Sequence, residues 1–234
     1  MLQRRGLILL ENSITVKTNA FSDRMYYGQT PILSYKIKYP LILSPEFENT
    51  ALRLSLLYKA YARQYRTYCR TTLYQMAAEQ YHDSVENGYP VREFEAQQDF
   101  TVTCQKDCTL SLSFERYEYT GGAHGNTVRR SDSWDLRNGN RITLAQLFPE
   151  SMDYRTYLIK AIQAEIAEEI AGGENPYFEN YEENVANNFH ENDFYLTPEG
   201  LVIYFQLYEI APYSSGIREF TIPYSPKGPF RPSC

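Results

Sequence analysis

The spacing of the large apolar residues changes near Tyr89, and that change constrains the fold more than any other feature of the chain. Phe47, Ala51, Leu54, Tyr58, Tyr61, Tyr65, Tyr68, Thr72 and Met76 recur at three- and four-residue steps. This places them on one face of a long helix that is opened by Pro45 and fades at Asn87-Gly88. Arg53, Lys59, Arg63, Arg66 and Arg70 fall on the opposite side, so the tyrosine stripe is the face that packs and the basic stripe the face that is solvated. From Tyr89 the period becomes two. Val91–Cys104, Thr109–Thr120 and Thr127–Leu136 read as strands of an antiparallel meander, broken at Gln105-Lys106-Asp107 and at a glycine-rich segment.

The remaining elements follow the same logic. Residues 30–43 alternate over Tyr35–Tyr39 and read as a first strand that ends at Pro40. Asn138-Gly139-Asn140 is a turn, and Ile142-Thr143-Leu144 leads to a short helical turn ending at Pro149. A helix is expected over Asp153–Ala171, stopped by Gly172-Gly173, and a second from Pro176 to about Phe189 with the proline in its first turn. Strands return at Phe194–Leu196, Leu201–Leu207 and Ile217–Pro223. The order predicts an α+β fold, a largely antiparallel sheet packed by one long helix of the N-terminal half and two further helices. It divides into residues 1–29, an extension or first strand, then 30–120 and 121–234, the last two forming one compact unit.

Of the 234 residues, 43% are hydrophobic and 22 are tyrosines, so buried area must come from rings whose hydroxyls need partners. The tyrosines could also form a glycan- or protein-binding surface, but most fall at helix or strand periodicity. A net charge of −6 argues against a nucleic-acid partner, which requires a concentrated basic face. Glu165, Glu168, Glu169, Glu174, Glu179, Glu182 and Glu183 occur without an intervening Lys or Arg. They form either a solvated helical face or a surface that steers a cationic partner. Cys104 and Cys108 flank a tight turn and are read as free thiols, with a disulfide between them as the alternative. The apolar run Leu7-Ile8-Leu9-Leu10 is too short for an export signal or a membrane span, so no signal peptide is visible.

Candidate chemistry centres on Gly121, Gly122, His124, Gly125 and Asn126, where three glycines in five positions require positive φ or close approach around one imidazole. Glu118 and Asp135 are the nearby carboxylates that could form an acid-base pair with His124. The favoured reading is structural, a buried histidine tying a bulge to its neighbouring strand. The three histidines are scattered at spacings that fit no metal site, and no phosphate- or dinucleotide-binding glycine pattern occurs, so neither metal nor cofactor is expected.

The run Tyr117-Glu118-Tyr119-Thr120-Gly121-Gly122-Ala123-His124-Gly125-Asn126, with Asn138-Gly139, Ile142-Thr143-Leu144, Leu147-Phe148, Phe194–Leu201, Tyr208–Tyr213 and Ile222-Pro223-Tyr224, resembles the RsiV-type domain. That domain occurs outside the membrane in lysozyme-sensing anti-sigma factors of Gram-positive bacteria, and as a non-catalytic part of PdaC-type peptidoglycan deacetylases. The resemblance spans about residues 30–224. It implies an extracytoplasmic recognition domain that binds lysozyme or a cell-wall glycan through Ala211, Pro212, Tyr213, Ser214, Ser215 and Gly216. In that loop a proline-fixed turn would present an exposed tyrosine; the rival reading is a connection that merely covers the core. No sigma-binding segment, transmembrane helix or deacetylase ligand set is present in the sequence. The alternative function is a hydrolase acting on a glycan or peptide through His124 and a carboxylate.

Overall fold

The structure is a computed structural model that describes residues 14–233. The apolar run at residues 7–10, with the first part of the 1–29 segment, lies outside the described residues. A hairpin of β1 (Thr15–Tyr27) and β2 (Thr30–Leu43) comes first. A helix follows, built of α1 (Glu48–Tyr68), a π-turn (Cys69–Leu73) and α2 (Tyr74–Asn87), and Gly88 ends it in the left-handed conformation at φ 71. Then come β3 (Phe94–Lys106), β4 (Thr109–Tyr119), β5 (Asn126–Asp135) and the two-residue β6 (Asn140–Arg141). These six strands form one sheet in chain order. The long helix acts as the crossover between β2 and β3, which are therefore parallel, while the other neighbours are antiparallel. The second half supplies α3 (Tyr154–Ala171), α4 (Tyr181–Asn188) and a separate three-stranded sheet of β7 (Phe194–Leu196), β8 (Gly200–Phe205) and β9 (Arg218–Pro223).

This is the α+β fold expected, with four differences in detail. Strand β1 precedes the strand at 30–43; its mostly exposed, mixed residues carry little alternation. Strand β2 runs through Pro40 to Leu43, because β3 pairs with it only at Leu33–Ile37, leaving the proline where one side needs no ladder bond. The helix α4 starts at Tyr181 rather than Pro176, since the Phe178 N–H donates to the Ile210 carbonyl at 3.1 Å and holds that segment against the next loop. Finally, the packed stripe of the long helix passes through Leu73 and Ala77, not Thr72 and Met76. Tyr65, Cys69, Leu73 and Ala77 lie at four-residue steps, each overshooting one α-helical turn by about 40°. The π-turn absorbs the excess and returns the stripe to the sheet.

Strands β4 and β5 are packed on both faces. Leu110, Leu112, Phe114 and Trp134 meet Ala51, Leu54 and Tyr58 of α1. Tyr58 joins this core through its hydroxyl, which accepts from Trp134 Nε1 at 2.6 Å and donates to Asp132 Oδ2 at 3.2 Å, with Arg141 paired to the same carboxylate at 2.8 Å. Burial raises the Tyr58 pKa well above its ordinary value and also raises that of Asp132. The opposite face is lined with hydroxyls. Ser111 Oγ accepts from the Leu196 N–H at 3.0 Å and from Thr103 at 3.0 Å, and lies 2.8 Å from Ser133 Oγ. Ser131 donates to the Phe194 carbonyl, so the backbone of β7 is received by side chains of the first sheet. The Gln206 amide takes both backbone groups of Arg129, at 2.9 and 2.7 Å, and extends the β5 edge as a strand would.

Beyond β7–β9, Leu158, Ile162 and Ile166 of α3, with Val185 and Phe189, close a second core on Leu201, Ile203, Phe205, Phe220 and Ile222. Cys104 is a free buried thiol, as expected, but Cys108 is disulfide-bonded and its partner is therefore not Cys104. Cys104 lies in β3, whereas Cys108 lies in the turn to β4 beside Asp107, which takes φ 52.

The hydroxyl face predicts its own test. Ser111→Ala strands the Leu196 N–H in a buried site, which costs about 1–3 kcal/mol. Urea unfolding should show the loss as a lower midpoint at unchanged slope.

Candidate functional site

The glycine-rich segment joins β4 to β5 and is held from several directions. Gly121 takes φ +82, and a Cβ there would lie 2.2 Å from Gln80 Nε2, whereas Gly122 has neither constraint. Arg92 Nη1 donates to the carbonyls of Gly121 and Gly122 at 2.9 and 2.8 Å, and the Tyr119 hydroxyl adds a bond to Gly122 at 3.1 Å. Gly125 is buried against Tyr117, whose ring atom Cε2 would lie 2.2 Å from an added Cβ. Its carbonyl accepts from the Tyr213 hydroxyl at 3.0 Å and from His124 Nδ1 at 2.8 Å, filling both lone pairs.

His124 itself is exposed, contrary to the expectation of a buried strut. The turn after Ala123 lifts the ring out of the sheet and lays it on Tyr213, with centroids 4.0 Å apart and planes 25° from parallel. A carbonyl can only accept, so Nδ1 carries the proton, and in the neutral ring Nε2 is left to accept from the Tyr208 hydroxyl at 3.3 Å. The loop after β8 supplies both tyrosines. The Glu209 N–H closes a turn on the Gln206 carbonyl at 3.2 Å, and Tyr208 occupies its left-handed position at φ 67, normally glycine's place. Tyr208 is 53% exposed and lies 5.7 Å from the Tyr213 ring. His124, Tyr208 and Tyr213 thus form one aromatic surface above a strained turn.

The loop residues expected to bind are not equivalent. Ala211 is buried in the second core, while Pro212 is exposed and leads into a 3-10 turn, Tyr213–Ser215. Ser214 is exposed, the Ser215 hydroxyl donates to the Pro176 carbonyl at 2.9 Å, and Gly216 takes φ 70. Asn126, at the start of β5, is exposed and pairs with Glu118.

Neither carboxylate meets His124. Glu118 points to the helix side of the sheet, where it accepts from Tyr65 at 2.8 Å and Tyr68 at 3.3 Å. Asp135 lies at the other end of β5, about 30 Å from Asn126 along an extended strand, and is bound by Arg137 at 2.7 Å. Strand parity separates the first from His124 and strand length the second. Tyr208 and Tyr117 lie within the motifs of the resemblance but receive no role of their own from the sequence, and Arg92 is not singled out there. A left-handed tyrosine has no composition signature, and the other two act only through backbone brought near by the fold.

Residues 27–127 match the family described as "Deacetylase PdaC", and residues 145–225 match "Protein of unknown function (DUF3298)". The chain therefore carries a domain of PdaC/DUF3298 type. Among individual proteins, it is 21% identical over 121 residues to the peptidoglycan-N-acetylmuramic acid deacetylase PdaC of Bacillus subtilis (strain 168). That alignment takes in 52% of this chain but only 22% of the deacetylase. A DUF3298 family member from Bacteroides fragilis NCTC 9343 superimposes with a TM-score of 0.68 at 18% identity, over 91% of this chain and 92% of that one. A DUF3298 family protein from Pseudomonas aeruginosa PAO1 gives 0.57 at 18% identity over 94% and 98%. Both establish the likeness of the fold.

Two sets of variants separate the roles of these residues. Gly121→Ala should cost about 1 kcal/mol or more through its positive φ, and Gly125→Ala about 1–3 kcal/mol by overpacking Tyr117. Gly122→Ala should be nearly neutral in the same urea series. Tyr208→Gly should hold or raise the midpoint, because relief of roughly 1 kcal/mol of left-handed strain offsets the lost ring contacts. Tyr208→Ala keeps the strain and should lower it.

Proposed function

We propose that this chain is a non-enzymatic recognition domain for a component of the cell wall, read through His124, Tyr208 and Tyr213. The aromatic surface is the observation that carries the reading. Stacked rings with polar edges suit the apolar face of a sugar and the hydroxyls around it, and a ring held on a strained backbone is preorganised for binding. The relative named as a peptidoglycan deacetylase supports a wall ligand and an extracytoplasmic location, to which the disulfide at Cys108 also conforms. His124 has both ring nitrogens engaged and, among the described residues, no carboxylate paired with it, which leaves it without the base or acid partner that hydrolysis would use.

A second ligand, a cationic wall-active protein such as lysozyme, is favoured by a separate observation. Exposed Glu174, Glu179, Glu182 and Glu183 belong to the segment that Ser215 and Ile210 tie to the binding loop, so negative charge flanks the aromatic surface. This is the ligand of the RsiV-type proteins the sequence resembles.

Titration calorimetry against soluble peptidoglycan fragments and against lysozyme tests both. Tyr213→Ala and Tyr208→Ala are each expected to weaken the active titration by about tenfold or more. The lysozyme heat, in addition, should fade with added salt. Absence of heat with both ligands would exclude the proposal, and heat unaffected by either tyrosine would move the site elsewhere.

A further inference from the structure

The two edges of the six-stranded sheet are treated differently. At the β5 edge, Gln206 satisfies Arg129 and the Ile142 N–H reaches the Ser133 carbonyl at 2.8 Å. At the other edge, β1 pairs only with β2 among the described residues. It presents 13 residues without a proline. Most natural edge strands are short, covered or interrupted, because an open row of N–H and C=O groups recruits another strand.

We infer that β1 is a self-association edge, on which a second copy of the chain adds its own β1 antiparallel about a two-fold axis through Ala20. The charge pattern chooses both the occupant and the register. Lys17 and Asp23 are exposed and equidistant from Ala20, and neither has an ion-pair partner among the described residues. The axis through Ala20 sets each Lys17 opposite the partner's Asp23 and each Thr18 opposite Ser22. It also sets Thr15 opposite Met25, where the bulge between Met25 and Tyr26 ends the regular ladder. Moving the axis to Asn19 would place Lys17 against Phe21, and moving it to Phe21 would place Lys17 against Met25. Only the Ala20 register therefore joins both charges to their opposites on one face. The product is a continuous twelve-stranded sheet, twice the six strands of one chain, with the His124 surface of each copy far from the junction. It would present two recognition surfaces at once, but the pairing does not depend on what they bind.

Sedimentation equilibrium of the whole chain should show a species of twice 27.3 kDa over a series reaching high-micromolar concentration. Lys17→Glu and Asp23→Lys should each weaken association by about tenfold, and the double exchange should restore it to within about threefold. Circular dichroism checks that these exposed changes leave the fold intact. Under mild oxidation Ala20→Cys should cross-link two chains, whereas Ser22→Cys, which faces Thr18, should not. A monomer at every concentration, single exchanges without effect, a double exchange that fails to restore, or equal cross-linking at both positions would overturn the inference.

Discussion

Everything in this molecule depends on β4 and β5 being buried on both faces with two kinds of chemistry. One face is apolar and packs on the long helix; the other carries Ser111, Ser113, Ser131 and Ser133. Small hydroxyls allow close approach and supply the donors and acceptors that the short strand β7 lacks on one side. A flat apolar face could cover β7 but could not satisfy its backbone. The two sheets are thereby registered on each other by directed bonds, not by hydrophobic contact alone.

That registration delivers the site. The segment carrying His124 leaves the end of β4, and the loop carrying Tyr208 and Tyr213 leaves the end of β8, so the aromatic surface exists only where the sheets hold these ends together. Gln206 stands at the hinge of this arrangement, bonding Arg129 of β5 with its side chain while its carbonyl closes the turn that strains Tyr208. Glu209 contributes from the same turn, its carboxylate accepting the Gln206 N–H at 2.6 Å while burial raises its pKa. The local strain is sustained by these surrounding bonds.

The long helix shows a related compromise. Its buried positions follow four-residue steps that an α-helix cannot keep on one side, and the π-turn at Cys69–Leu73 reconciles them with a flat sheet. Cys69 sits within that turn, fully buried, its thiol pushed up to about 12 mainly by burial. Nearby, Tyr65 and Tyr68 share the Glu118 carboxylate, so the tyrosine stripe has polar partners along its sheet side as well as apolar ones.

What the sequence determined alone was set by local rules. The shift of period at Tyr89, the helix stop at Gly88, the turn at Gly139 and the positive φ at Gly121 are consequences of side-chain spacing and backbone sterics within a few residues. The α+β class and the constrained backbone at Gly121 were legible for that reason, whereas residues 211–216 were pointed to by the family resemblance and not by local spacing. The exposure of His124, the exclusion of Glu118 and Asp135, the π-turn and the left-handed Tyr208 were decided by tertiary structure. Each depends on which groups from distant segments arrive to saturate a hydrogen bond or fill a face, and a residue's neighbours in sequence carry no record of those arrivals.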